Sequence, residues 1–505
     1  MSFEVNKFEI GKKTKLEKEN FSVSFEFQSQ TEIEKVLSVK NKVMIENYEV
    51  LNGLISFAGK IHACVVLQTV DQRIETAKEV FAFSSKIEEK TATAGDVARI
   101  FVSIENCDVD LISNEKIRLD YNLVAYGELI SKKNVEKVCV DDENVCQKYD
   151  EIDVEKFVGK ANETFVVDSE VSLMNNLKQI VLSDSVAYVK TIESGIDFVS
   201  VGGEVVTKIL YINEDDKFET VSVNENFKEE IEFMGATREM FAQADLAVRD
   251  DQIKLEIESG DKNSKVVMQI PVEMTVYGFK SEKENVVSDV YSTKCELQTT
   301  TSSFDMTKNL ETEFFETKIE GQLSLEEDKP RVDKIMFVGV TNLNLTNSHI
   351  KDGEVFVEGI AKTGVVYLND ETNGLYGVDI EVPFVATDKV RIECESSNVQ
   401  VCATVESNDV VVKKGRDFYF DAKVNFKVEF DCEKYGAVIS SVQVGADYPE
   451  RDCAIEIYYA FEGQNAWDIA KSLRVDEQTL YTQNPELVFP LDKQQNIVLF
   501  HQKRT

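Results

Sequence analysis

The chain lacks the features that mark several common classes of protein. It has only 6 prolines in 505 residues and no stretch rich in proline, glycine and serine, so we expect closely joined domains without flexible linkers. No run of about 18 apolar residues occurs, so no transmembrane helix is predicted. The first residues, MSFEVNKFEIGKKTKLEKEN, contain no apolar core of signal-peptide length. We therefore expect a chain that is retained in the cytoplasm.

Cysteine and histidine are sparse and scattered. The nine cysteines are odd in number and form no C-x-x-C pair, so neither a disulfide framework nor a zinc site is predicted. The three histidines lie far apart and form no H-E-x-x-H motif. The cluster CVDDENVC (139–146) is interpreted as an exposed acidic connector, with a metal site as the alternative. No catalytic residue, metal ligand or cofactor is therefore predicted.

Positive charge is also scarce. There are 56 lysines and arginines against 92 aspartates and glutamates, which gives a formal net charge of −36. This charge opposes binding to nucleic acid or to an anionic membrane surface. It favours solubility, with attraction to a basic partner or to cations as the alternative. Self-association through exposed strand edges stays open, and the charge is expected to oppose it or make it cation-dependent.

Three stretches of the chain are similar to one another. They read ISFAGKIHACVVLQT from residue 55, VSVGGEVVTKILYIN from residue 199 and VFVEGIAKTGVVYLN from residue 355. Each contains a glycine between apolar positions, followed by an apolar run. These glycines are Gly59, Gly203 and Gly359. A glycine inside a strand pattern indicates a β-bulge or a close backbone approach.

The similarity extends to long alternating segments that follow each stretch, such as FYFDAKVNFKVEF (418–430). Alternation with a period of two predicts strands with one buried face. The repeat length, about 150 residues, indicates duplicated domains and not a solenoid of short repeats. We predict a mainly β protein, with three repeated antiparallel β-sandwich or barrel-like domains and a small βααβ module. The predicted boundaries are 1–152, 153–308, 309–453 and 454–505.

The middle repeat carries a family resemblance. GGEVVTKILYINEDDKFETVSVNENFKEEIEFMGA (202–236) and VVSDVYS (286–292) resemble the SPOCS domain family. The first and third repeats are similar to SPOCS domains chiefly through their alignment to this one.

The C-terminal stretch resembles a different family, the LysM module. The positions that match its pattern are Tyr458, Gly463, Trp467, Ile469, Ala470, Val475, Leu480, Asn484, Pro485, Ile497 and Leu499. Spacing alone places Trp467, Ala470 and Leu473 on one helix face. Asp476 is a candidate N-cap of a second helix, and Asn484-Pro485 is expected to end it.

In LysM modules that bind N-acetylglucosamine polymers, two loops line the sugar groove. The resemblance implies a partner- or glycan-binding site formed by Phe461, Gly463, Gln464, Asn465, Asn484, Pro485, Glu486 and Leu487. The usual Gly-Asp-Thr is replaced here by Gly463-Gln464-Asn465, although glutamine and asparagine still hydrogen-bond sugars. An aromatic residue at position 461 equally suits a protein partner.

SPOCS repeats followed by one LysM module resemble the layout of SipL-like spore coat proteins. This resemblance implies a non-enzymatic scaffold at the forespore surface, on the mother-cell side. Its expected partner is the coat-basement ATPase of the stage IV sporulation protein A type. The alternative is a cell-surface protein that binds peptidoglycan or another N-acetylglucosamine polymer.

Overall fold

The computed structural model describes residues 3–260, 263–372, 374–391, 397–451 and 453–501. Cys394 lies outside these residues. The regular structure is almost entirely β strand, and the strand pairs are antiparallel. The prediction of a mainly β protein is therefore confirmed.

The first six strands form what we call unit 1. They are β1 (Phe3–Gln28), β2 (Ile33–Leu51), β3 (Leu54–Thr69), β4 (Ile74–Glu88), β5 (Val97–Ser113) and β6 (Lys116–Val140). One sheet has the order β1-β6-β5 and the other has the order β2-β3-β4. Both sheets bury side chains in one shared core, as in a two-layer sandwich.

The same order of strands continues in unit 2. Its strands are β7 (Val145–Ser172), β8 (Leu177–Ser194), β9 (Phe198–Asn213), β10 (Phe218–Glu232), β11 (Phe241–Val248), β12 (Lys254–Ser259) and β13 (Ser264–Ser292). β11 and β12, separated by a short 3-10 turn at Asp250–Gln252, together occupy the place of β5 beside the last long strand.

Unit 3 has six strands in the arrangement of unit 1. They are β14 (Cys295–Ser324), β15 (Lys334–Lys351), β16 (Glu354–Asn369), β17 (Gly374–Lys389), β18 (Ser397–Lys413) and β19 (Asp417–Asp447). The sheets have the orders β14-β19-β18 and β15-β16-β17. The units meet at the turns before β7 and β14, whereas the predicted boundaries 152/153 and 308/309 lie inside those two strands.

Residue alternation explains why these segments are strands. In β19 the alternate side chains are buried in the core of unit 3, as the pattern predicted. They are Phe418, Phe420, Ala422, Val424, Phe426, Val428 and Phe430.

The repeated glycines occupy equivalent places in the three units. A β-bulge follows the residue paired with each glycine on the preceding strand. A Cβ atom at Gly203 would lie 2.3 Å from the carbonyl oxygen of Tyr188 and 2.5 Å from the ring of Phe227. Gly59 and Gly359 face a carbonyl oxygen and a phenylalanine ring in the same way. Of the two predicted alternatives, the close backbone approach is confirmed at each glycine, and the bulge lies on the neighbouring strand.

Equivalent residues of the three units also meet one another. One buried cluster contains Leu37, Val66, Val181, Leu210, Phe337 and Val366, two from each unit. A second cluster contains Val135, Val286 and Val438, one from each final long strand. Because each cluster draws on all three units, the units share buried apolar surface beyond their own cores.

A buried ion network joins the units as well. Arg99 of unit 1 is 2% exposed, and its guanidinium lies 2.5 Å from carboxylates of both Asp245 in unit 2 and Glu429 in unit 3. Lys427 lies 2.9 Å from the same two carboxylates. Burial opposes ionisation of Asp245 and Glu429, but Arg99 and Lys427 hold the pKa of both carboxyl groups below the usual range.

The C-terminal segment contains the remaining elements, β20 (Ile455–Ala460), α1 (Ala466–Leu473), α2 (Glu477–Gln483) and β21 (Gln495–Phe500). β20 and β21 pair antiparallel. Trp467, Ala470 and Leu473 are buried in one cluster, as their spacing predicted. Asp476 caps α2 by accepting a hydrogen bond from the amide of Thr479, as also predicted.

Within the part of the chain that the structure describes, no helix has both the length and the apolar character to cross a membrane.

Candidate functional site

The first predicted loop connects β20 to α1. Phe461 is 61% exposed, and Gly463 is exposed with a φ of 83°, a left-handed conformation that suits glycine. The amide of Gln464 closes a turn by donating to the carbonyl of Phe461 at 3.3 Å. This turn presents the ring of Phe461 to solvent.

The two polar side chains of this loop bind the protein itself. The carboxamide oxygen of Gln464 accepts from the amide of Phe461 at 2.9 Å, and its nitrogen donates to the hydroxyl of Tyr458 at 3.3 Å. Asn465 is the N-cap of α1, since its side chain accepts from the amide of Asp468 at 2.9 Å. Both side chains therefore stabilise the local fold.

The second predicted loop follows α2. Asn484 is only 4% exposed. Its side-chain nitrogen donates to the carbonyls of Leu480 and Val498, and its side-chain oxygen accepts from the backbone amide of Val498 at 3.1 Å. Pro485 and Glu486 are exposed. Leu487 is half-buried against the core of the C-terminal segment. Of the predicted residues in this loop, Pro485 and Glu486 are thus the ones open to a partner.

The structure anchors both loops to the same stretch of chain. Gly463 donates its amide to the carbonyl of Leu491 at 2.8 Å, and the amide of Leu491 donates to the carbonyl of Gln464 at 3.0 Å. Asn484 is bonded to Val498 in β21. The two loops are therefore linked through the segment 491–498.

An exposed apolar surface lies next to the first loop and was not predicted. Ile455, Ile457 and Tyr459 alternate along β20 and are each more than half exposed, and Phe500 pairs opposite Ile455. We call these four residues the apolar strip. Phe461 continues the alternation just beyond β20. The sequence IEIYYAF carried a signal for this strip, because its period of two places apolar residues on one face.

The opposite side of the segment is fixed to unit 2. The indole nitrogen of Trp467 donates to Asp289 at 2.8 Å, and the ammonium of Lys471 lies 2.7 Å from the same carboxylate. Tyr291 packs edge-on against Trp467, and its hydroxyl donates to the carbonyl of Val475 at 2.8 Å. Asp289 and Tyr291 belong to the VVSDVYS stretch, so this motif holds the C-terminal segment.

The charge of Asp289 supports this contact. Burial opposes its ionisation, but hydrogen bonds from Lys471 and Trp467 hold the pKa of Asp289 below the usual value of 3.8. A second contact is made by Tyr448, the residue that follows β19 of unit 3. The guanidinium of Arg474, in the C-terminal segment, lies 3.7 Å from the ring centre of Tyr448. The C-terminal segment is thus docked in one orientation, with the apolar strip left exposed.

Comparison with known proteins shows that one segment of the chain is similar to a known family. Residues 32–112 match the family model described as SipL, SPOCS domain. This segment contains β2, β3, β4 and nearly all of β5 in unit 1. Searches of curated proteins and of solved structures gave no match. A SPOCS domain indicates a sporulation-related coat protein.

Proposed function

We propose that this chain is a non-enzymatic scaffold of the spore coat, acting in the mother-cell cytoplasm at the forespore surface. The observation that carries the proposal is the SPOCS match at 32–112, in a unit whose strand order recurs in units 2 and 3. The three units serve as a rigid body that presents the C-terminal segment to a partner. The buried charged side chains Arg99, Asp245 and Glu429 form salt bridges between units, which supports a structural role for these residues.

The C-terminal segment is, in this proposal, a LysM module. Its order of strand, two helices and strand supports this identity, together with the matching positions from Tyr458 to Leu499. The proposed partner is the coat-basement ATPase of the stage IV sporulation protein A type. Docking takes place through the face of the module that is turned away from unit 2.

A protein partner is better supported than a glycan. Gln464, Asn465 and Asn484 are the polar residues that a sugar would need, and each already bonds within the protein. What the module offers instead is the exposed ring of Phe461 beside the apolar strip. Exposed aromatic anchors of this kind are typical of protein interfaces.

Two experiments test the proposal. A fusion with a fluorescent protein at the N-terminus is expected to form a ring around the developing forespore. In capture assays with the purified basement ATPase, Phe461→Ser combined with Glu486→Arg is expected to weaken binding at least tenfold, about 1.4 kcal/mol. Gln464 is left unchanged because its side chain holds the loop together.

The matched control is Tyr435→Ser combined with Glu433→Arg, an exposed aromatic and acid pair on β19. The control is expected to keep full binding. Equal capture by both double variants would refute docking through this face. Pelleting of the chain with purified cell-wall sacculi, without capture of the ATPase, would support the peptidoglycan-binding alternative instead.

A further inference from the structure

A cavity lies where the three units meet. Its volume is about 790 Å³, within the range of small-molecule sites. Strands β2 and β5 of unit 1, β8 and β11 of unit 2, and β15 and β18 of unit 3 all contribute to its lining. The cavity therefore depends on the association of all three units.

The carboxylates that line this cavity are neutralised by the protein. Each lies within 4 Å of a lysine or arginine. They are Glu46, Asp184, Asp245, Glu273 and Glu406. Their charge is therefore not available to attract a cation into the cavity.

Not every lysine or arginine of the lining has a carboxylate partner. Lys40, Lys42 and Arg99 have carboxylate partners. Within the described residues, Lys160 and Lys208 have no carboxylate within 4 Å. The lining holds five cations and five carboxylates, so its charge is balanced overall, but Lys208 is a largely buried cation without a carboxylate partner of its own among the described residues.

Lys208 is held so that it remains available to a ligand. Its ammonium donates to the side-chain oxygen of Asn408 at 2.8 Å and to the carbonyl of Val338 at 3.3 Å. Asn408 is itself fixed, because its side-chain nitrogen donates to the carbonyl of Gly339 and to the hydroxyl of Thr341, both at 2.8 Å. An ammonium has three N–H donors, so one remains for an acceptor in the cavity.

Burial makes this ammonium costly without a counter-ion. It lowers the pKa of Lys208 below the usual value, although the charges of Asp184 and Asp409 act in the opposite direction. A bound anion would offset this cost. Apolar residues also line the cavity, among them Val186, Val206 and Val340.

We propose that the cavity binds an organic carboxylate with an aliphatic body. The carboxylate accepts a hydrogen bond from Lys208, and the aliphatic body lies along the valine-rich walls. This site is separate from the C-terminal face proposed for docking, and it does not depend on the coat function.

Calorimetric titration of the full chain with octanoate tests this site, with octylammonium and 1-octanol as probes of equal length. Saturable binding of one octanoate per chain is expected, at least tenfold tighter than that of octylammonium. Lys208→Met is expected to weaken octanoate binding at least tenfold. The matched control is Lys217→Met, which removes the same charge from an exposed lysine in a turn. It is expected to bind octanoate as the unchanged chain does.

Three results would overturn the proposal. They are the absence of saturable octanoate binding, equal binding of octanoate and octylammonium, and unchanged affinity in a folded Lys208→Met variant. Circular dichroism and the thermal midpoint establish that this variant is folded. If it does not fold, the comparison of octanoate with octylammonium on the unchanged chain decides the matter, because it depends only on the charge of the head group.

Discussion

At Gly59, Gly203 and Gly359 the chain leaves no room for a side chain. Each glycine sits between a bulged strand on one side and a phenylalanine ring on the other. The ring covers the backbone where a Cβ would otherwise stand. The recurrence of one glycine in three sequences thus reflects one steric requirement in three units.

We therefore expect Gly203→Ala to destabilise the protein. The new Cβ would meet the Tyr188 carbonyl and the Phe227 ring at distances that force the strands apart, which costs about 1–3 kcal/mol. Urea unfolding followed by circular dichroism measures this loss. The matched control is Gly159→Ala in β7, where nothing lies within 4 Å of the new Cβ. Its effect is expected to stay within about 0.5 kcal/mol. Equal losses in the two variants would contradict the steric explanation.

Residue roles were predictable from the sequence where their causes are local. The cap at Asp476 and the shared face of Trp467, Ala470 and Leu473 follow from helical spacing, and the structure has both. Asn484 is different because its side chain bonds to Val498, which lies 14 residues further along the chain. A sequence pattern does not reveal whether a polar side chain satisfies the backbone or faces solvent.

At the scale of elements, one face of α1 is covered by unit 2 through Asp289. Trp467 is the only tryptophan in the chain, so tryptophan fluorescence reports on the surroundings of this one side chain, which include the contact with Asp289. We expect Asp289→Ala to leave the fold intact but to expose the indole, with stronger acrylamide quenching and a red-shifted emission. The side chain is partly exposed, so the local loss is expected to be only about 1 kcal/mol. The control is Asp150→Ala, at an exposed position on β7.

The same contact should respond to acid. Because the folded state holds the pKa of Asp289 below its usual value of 3.8, its carboxylate stabilises docking at higher pH. This stabilisation is lost as the pH falls below 3.8 and the group becomes protonated. Tryptophan emission of the unchanged chain should therefore shift in that range and should shift less in Asp289→Ala. Identical acid titrations of the two chains would rule out a role for this carboxylate.

Strands were predictable as a class, but their full lengths were not. β7 runs from Val145 to Ser172, and its two parts face different surroundings. Val154 is buried between units, whereas Phe165 and Val167 lie in the core of unit 2. A bulge in the β13 pairing shifts the register between these parts. The alternation therefore breaks within the strand, and the predicted boundary at 152/153 falls inside it.

At the scale of the whole molecule, the chain combines a large negative charge with a buried arginine. Arg99 is separated along the chain from its partners Asp245 and Glu429 by 146 and 330 residues. No local pattern connects positions so far apart, so this network was not predictable from the sequence. The same holds for the cavity, since its lining comes from all three units.

The network leads to a prediction about the association of the three units. In Arg99→Met, two buried carboxylates keep only Lys427 as a cationic partner, and such a loss costs about 3–5 kcal/mol. Thermal unfolding should show a large fall in the midpoint. The matched control Arg118→Met removes an arginine that is 41% exposed and pairs with Asp110 and Asp120, and no comparable fall is expected.

The pH dependence of stability should differ between the unchanged chain and Arg99→Met. This difference shows whether the loss of stability comes from the charge of Arg99. In the unchanged chain the pKa values of Asp245 and Glu429 are held below the usual 3.8 and 4.5, so the network stabilises the fold at higher pH and loses this effect as pH falls. In Arg99→Met, protonation of either carboxyl group removes a poorly compensated buried charge. The difference in unfolding free energy between the two chains should therefore shrink as the pH falls below about 4.5, the usual range of a glutamate. A difference that is constant with pH would mean that Arg99 acts through packing alone, and the three units would then be joined mainly by their apolar clusters.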